Sequence, residues 1–242
     1  MCFPELFVFT YSSKHKPKNR CSAVSWAVCS GDRRVNTIDC WPDPLRRFQG
    51  SCGVPSAVTY EKTRPHQLCQ WGFPAIQQQN HLKNESKPFK LFKLLFENPR
   101  NVPDSDSDGN SELATLKRLL VKYGKTADDI TADYLQCIWT FTKEVLNRNV
   151  RTFAREFALR VILTIPAVWT PITTERFKEL AIRAGLPVDI VLLPESEAAA
   201  ADAFSGTSQR ARFKVGDVIT ICDAGGQTCV RFSIHGRREI RR

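Results

Sequence analysis

Residues 161–228 hold the stretch that decides the fold. Three apolar segments follow one another there: Val161-Ile-Leu-Thr-Ile-Pro-Ala-Val-Trp169, Val191-Leu-Leu-Pro-Glu-Ser-Glu-Ala-Ala-Ala200 and Val218-Ile-Thr-Ile-Cys-Asp-Ala-Gly-Gly-Gln-Thr228. The third segment runs straight into Asp223-Ala-Gly-Gly226, so it places a carboxylate and two unhindered backbone amides at a strand end. Such groups suit the binding of a phosphate and its metal ion.

Helix signals lie between and before these segments. Thr170 can cap a helix, Pro171 fits its first turn, and Gly185 is placed to end it. An earlier helix is predicted over Thr131–Asn147, with Thr131 as its N-cap. The succession of strand, helix, strand, Ala-rich helix and strand indicates an α/β layer around a sheet with parallel members.

Composition and charge argue against a membrane-spanning, a zinc-binding and a nucleic-acid-binding protein. No run of apolar residues approaches the ~18 needed to cross a membrane. The nine cysteines include no C-x-x-C pair, which argues against zinc and favours a reducing compartment. We therefore predict localisation in the cytoplasm, with the nucleus as the alternative. The net charge of +10 is spread along the chain, so it favours a solvated surface over nucleic-acid binding.

The chain divides into two predicted parts. Residues 1–21 form a disordered or divergent N-terminal segment, because the basic, Pro-broken run Ser12–Arg20 has no periodicity; we expect residues 1–20 not to pack on the sheet. Residues 22–242 form the domain, with a flexible acidic loop at 98–112. That loop starts like an EF-hand, but its twelfth position is Thr115 and not the required Glu.

Several segments together resemble a known family. Thr164-Ile-Pro-Ala-Val-Trp169, Glu195-Ser-Glu-Ala-Ala-Ala200 and Asp223-Ala-Gly-Gly-Gln-Thr228 are similar to consecutive landmarks of the actin-like ATPase domain of heat-shock seventy-kilodalton (DnaK-like) chaperones, in the wording of divergent fungal-type members. Val24-Ser-Trp-Ala27 and Gln70-Trp-Gly72 fall upstream in the family's order. The resemblance implies an α/β actin-like ATPase (ribonuclease-H-like) fold, of which this chain holds the first lobe and the start of the second.

The same resemblance implies a site and a role. Glu195 matches the carboxylate that orients the metal-bound attacking water. Asp223, Gly225, Gly226 and Thr228 match the second phosphate hairpin, with Asp223 also on the Mg²⁺ side. The implied cofactors are ATP and Mg²⁺, and the implied role is ATP binding and hydrolysis in chaperone-type action with protein partners.

The chain also departs from the family's pattern. The first phosphate hairpin, D-F-G-T-T, is replaced by Lys16-Pro-Lys-Asn-Arg20, Gln227 stands for the third glycine of the second hairpin, and Ser196 replaces a proline. The sequence ends at Arg242, before the adenosine-binding segment. We therefore predict a catalytically impaired fragment. The alternatives are an inactive remnant that acts only as a protein-interaction module, and a basic nucleic-acid-binding module.

Overall fold

The computed structural model of the chain describes residues 5–13, 21–28, 34–61, 67–77, 87–92, 112–150, 158–205, 218–224 and 229–235. The strands are β1 (Glu5–Ser13), β2 (Cys21–Val28), β3 (Val35–Thr37), β4 (Val54–Pro55), β5 (Val58–Tyr60), β6 (Leu68–Trp71), β7 (Ala158–Ile165), β8 (Val191–Pro194), β9 (Val218–Ala224) and β10 (Cys229–His235). The helices are α1 (Gly72–Gln77), α2 (Glu112–Tyr123), α3 (Ala127–Asn149), α4 (Pro171–Arg183) and α5 (Glu195–Ser205).

A mixed six-stranded sheet organises the fold. Its order is β3-β2-β1-β7-β8, and β4 pairs with β2 beside β3. β2 runs antiparallel to β1, whereas β1, β7 and β8 are parallel neighbours. Parallel strands need a crossover between them, and α4 supplies the one that joins β7 to β8. This arrangement confirms the predicted α/β architecture.

The N-terminal strand corrects one prediction. Residues 1–20 were expected to lie off the sheet, but Glu5–Ser13 forms β1 in the middle of the sheet, between β2 and β7. The reason is visible in the sequence: Leu6-Phe-Val-Phe-Thr-Tyr11 is a run of strong strand formers, typical of a strand with neighbours on both sides. Only residues 1–4 and 14–20 of this segment lie outside the described residues.

Helix α3 begins earlier than its apolar periodicity predicts. Thr126 is the N-cap: its hydroxyl accepts from Asp129 N at 3.2 Å, and its own backbone N–H donates to the Asp129 carboxylate at 2.9 Å. Thr131, the predicted cap, is instead buried inside the helix and donates to the Ala127 carbonyl at 2.7 Å. For α4 the prediction is confirmed, with Thr170 as N-cap and Gly185 at a φ of +89° just past the end.

Two arginines tie α4 to the start of α3. The Arg176 guanidinium binds both carboxylate oxygens of Asp128, with Nε at 2.9 Å from Oδ2. Arg183 donates to the Asp128 carbonyl at 3.2 Å. The forked Arg176–Asp128 contact fixes direction as well as distance, so it orients the crossover helix against α3.

An aromatic cluster fills the core around α3. Trp41 stacks on Phe141 with ring centroids 5.4 Å apart, and Trp71 meets Phe141 edge-on at 5.9 Å. The buried aromatic residues of the core are Trp41, Tyr60, Phe73, Phe89, Phe92, Tyr123, Tyr134 and Trp139. The predicted acidic loop 98–112 lies outside the described residues, apart from Glu112, which begins α2.

Helix α5 joins the main sheet to the chain's last described strands. It contacts β7, β8 and β9. β9 and β10 form a separate antiparallel pair. The main sheet with its helices is the first lobe, and the β9–β10 pair is the start of the second, as predicted. Among the described residues, no helix combines the length and the apolar character that crossing a bilayer requires.

Candidate functional site

Three parallel strands end at one edge of the main sheet. The register aligns Thr10 with Leu163, and Leu163 with Leu192, in one row across β1, β7 and β8. Because these strands are parallel, their carboxyl ends share an edge, which is where open α/β sheets bind ligands. We call this the carboxyl edge; at it β1 ends at Ser13, β7 at Ile165 and β8 at Pro194.

Glu195 lies on the carboxyl edge. It follows Pro194, the last residue of β8, and is the first residue of α5, where it is partly buried. With strands ~4.8 Å apart, its Cα lies about 10 Å across the edge from the end of β1. A carboxylate in the first turn of a helix is stabilised by the helix dipole, and Glu197 in the same turn shares that explanation. Glu195 therefore differs from Glu197 in its position at the carboxyl edge.

The second predicted carboxylate lies on an adjoining element. Asp223 is the penultimate residue of β9, and its backbone pairs with Val230 of β10. Since α5 contacts both β8 and β9, the positions of Glu195 and Asp223 lie on elements that pack against each other. The remaining predicted phosphate-binding residues, Gly225, Gly226 and Thr228, lie outside the described residues, as does Gln227. Their roles stay predictions.

The donor set can be compared with the needs of Mg²⁺. No group of three or more His, Cys, Asp or Glu side chains that could hold a metal occurs in the described part of the chain. Mg²⁺ in nucleotide sites is commonly bound by one or two carboxylates together with phosphate oxygens and waters. Glu195 and Asp223 therefore stay predicted ligands of a metal that arrives with a phosphate, whereas the described residues offer no support for a metal site made by the protein alone.

Sequence analysis did not predict that the segment between β1 and β2 begins at the carboxyl edge. β1 ends at Ser13 and β2 begins at Cys21, and these two paired residues lie at the carboxyl edge. The intervening segment, Lys14-His-Lys-Pro-Lys-Asn-Arg20, contains basic residues and no carboxylate. The residues themselves, including Lys16 and Lys18, lie outside the described ranges. The continuous apolar run before them was the signal that could have placed β1.

Comparisons with known proteins bear on the fold. Neither a protein-family model nor a curated protein sequence matches this chain. Solved structures do match it, among them the crystal structure of MreB5 of Spiroplasma citri bound to ADP, with a TM-score of 0.51 and 16% sequence identity. The match covers 96% of this chain and 49% of the MreB5 chain, so the chain spans about half the length of that neighbour. The chain therefore has the α/β actin-like ATPase fold.

Proposed function

We propose that this chain is a nucleotide-binding module related to the heat-shock seventy-kilodalton chaperone ATPase domain, that it binds Mg-ATP weakly, and that it does not hydrolyse ATP on its own. The observation that carries the proposal is the placement of Glu195 on the carboxyl edge of an actin-like sheet. A solved structure with the same fold, MreB5, is bound to ADP, which supports a nucleotide as the ligand.

Two residues of this chain are assigned to the ligand. Asp223 would hold the magnesium ion at the end of β9, and Glu195 would accept hydrogen bonds from water at the start of α5. The ion, when bound, supplies positive charge that neutralises the phosphates. The neighbouring hairpin residues Gly225 and Gly226 would offer backbone amides without a Cβ in the way.

We expect no ATP hydrolysis because of the residues that follow β1. Phosphoryl transfer needs charge neutralised from several directions at once. The connection after β1 has Lys16 where the family's metal-side carboxylate belongs, so the hard oxygen ligand that Mg²⁺ requires is missing there. A lysine can still attract phosphate as a point charge, which is why weak binding is retained.

The chaperone assignment rests on sequence order. Five or six short motifs, each weak alone, occur in the family's order between roughly residues 22 and 235. On that basis we also propose protein partners of the chaperone type and a cytoplasmic location. The domain limits, 1–21 and 22–242, need one adjustment in this proposal, because β1 makes residues 5–13 part of the domain.

Saturation-transfer NMR with millimolar ATP tests the proposal. We expect transfer to the adenosine protons that grows on adding Mg²⁺, and no phosphate release above the buffer blank. Glu195→Gln should reduce the effect of Mg²⁺ on binding. Glu197→Gln is the matched control, since it removes the same charge from an exposed position of the same helix turn without touching the carboxyl edge. Equal behaviour of the two variants contradicts the role of Glu195.

A further inference from the structure

An exposed turn between β3 and β4 carries two adjacent arginines. We call Pro44–Arg47 the arginine tip. Both flanking strands pair with β2 at one end of the sheet order, whereas Glu195 follows β8 at the other end. The arginine tip is therefore separate from the candidate nucleotide site, and the proposed function does not use it.

Asp43 holds the base of the arginine tip. Its Oδ2 accepts from the Phe48 backbone N–H at 2.6 Å, and its Oδ1 accepts from Gln77 Nε2 at 2.6 Å. Burial opposes ionisation, yet the hydrogen bonds from Gln77 and from the backbone of Phe48, Leu45 and Arg47 lower the pKa of Asp43. The carboxylate is thus bound to neutral donors inside the turn, and no ion pair between it and either arginine is found in the described part of the chain.

Further contacts hold the turn against α1. Phe48 stacks on Phe73 of α1, with ring centroids 4.7 Å apart and planes 10° from parallel. The Arg46 backbone N–H donates to the Asp43 carbonyl at 3.0 Å. Arg46 has a φ of +50°, in the left-handed region where a residue with a Cβ is strained. Strain of this kind persists where the surroundings enforce it, and it is a reason to look for a use of the side chain.

The side chains of the tip are presented to solvent. Leu45 is 40% exposed, and Arg46 and Arg47 are exposed. Among the described residues, neither guanidinium makes a hydrogen bond or an ion pair. The tip therefore combines two exposed guanidinium groups with one apolar side chain on a backbone that Asp43 and Phe48 hold in place by their contacts, and a preorganised backbone reduces the entropy lost on binding.

We propose that the arginine tip is a docking surface for an acidic peptide segment of a partner protein. Guanidinium forks match carboxylates in a two-point geometry, and Arg is enriched among residues that dominate interfaces. Leu45 beside them fits an apolar side chain of such a segment. A nucleic acid would need a longer track of phosphate contacts, six to ten in a typical duplex complex, and two arginines next to a leucine do not provide one.

The test uses the full chain and a fluorescein-labelled peptide of Glu and Asp residues around one Leu, measured by anisotropy. We expect saturable binding that Arg46→Gly weakens at least about tenfold, the loss expected for a charged hydrogen bond. Glycine accepts the φ of +50°, so this variant should unfold no more easily than the parent chain. The double variant Lys143→Ala/Arg148→Ala removes two exposed positive charges from α3 and should change the affinity less than twofold.

Three outcomes would overturn the proposal. In the first, the α3 double variant weakens binding as much as Arg46→Gly, which would show a general charge effect. In the second, a peptide with Gln and Asn in place of Glu and Asp binds equally well. In the third, an oligothymidylate binds more tightly than the acidic peptide and displaces it, which would make the tip a nucleic-acid surface.

Discussion

Lys125, in the connection between α2 and α3, forms a partly buried network with Tyr60 and Asp133, and breaking this network is predicted to destabilise the fold. Asp133 Oδ2 accepts from the Tyr60 hydroxyl at 2.6 Å and lies 3.0 Å from Lys125 Nζ. The same Nζ lies 4.4 Å from the centre of the Tyr60 ring. Tyr60 is 1% exposed, and the Lys125 side chain is 10% exposed. One carboxylate therefore satisfies a buried hydroxyl and a nearly buried cation.

The perturbation is Asp133→Ala. Removing one partner of a buried ion pair costs about 3–5 kcal/mol, and we take about half of that because the Asp133 side chain is 29% exposed. The Tyr60 hydroxyl left without its acceptor adds about 1 kcal/mol. The free energy of unfolding should therefore fall by about 3 kcal/mol. Tyr60→Phe removes only the hydroxyl and should cost about 1 kcal/mol, because the Lys125–Asp133 pair survives.

Urea unfolding followed by circular dichroism measures these differences. Glu144→Ala is the control, since Glu144 is an exposed acid on the same helix and its loss should change stability by no more than about 0.5 kcal/mol. If Asp133→Ala costs no more than Glu144→Ala, the network contributes no stability and the assignment of Lys125 as a buried, paired cation is wrong.

Two further predictions concern single positions. Gly72→Ala should destabilise the chain by about 3 kcal/mol, because Gly72 has a φ of +65° and an added Cβ would lie 2.6 Å from Val54 Cγ2. Gly50→Ala, with a φ of +73° and no atom within 4 Å of the added Cβ, should cost only about 1 kcal/mol, and equal unfolding midpoints would refute the steric argument. Burial, together with the nearby Asp133 charge, raises the pKa of Cys137 to about 12, so Cys137 should react with a thiol reagent at pH 8 far more slowly than the exposed Cys40. Peptide mass spectrometry measures both rates, and equal labelling contradicts the burial of Cys137.

Local signals account for the parts of the fold that sequence predicts. Thr170, Pro171 and Gly185 bracket α4 because capping and left-handed φ preferences act within a few residues. Thr126 was missed because apolar periodicity marks the buried face of α3, and that periodicity becomes clear only after its first turn. The capping box between Thr126 and Asp129 was the available signal.

Pairing between distant segments of the chain explains the features of the fold that the sequence did not predict. β1 was separated from the domain because a basic run follows it, yet its residues pair with β7 residues 153 positions later, and no local pattern reports that contact. The place of Glu195 after a strand and at a helix start was predictable, because both features are local. Its position on the same edge as the end of β1 became visible only with the strand order.

Calorimetric titration of the full chain with Mg-ATP tests the central claim most directly. We predict a dissociation constant in the millimolar range, a binding free energy of about −4 kcal/mol, with the heat of binding lost in Asp223→Ala. Lys16 in place of the metal-side carboxylate and Gln227 in place of the third glycine leave little binding energy for positioning the phosphates. Micromolar binding that Asp223→Ala abolishes would contradict the impaired site and establish a working one. Binding that Asp223→Ala leaves unchanged would contradict the placement of the nucleotide at the end of β9.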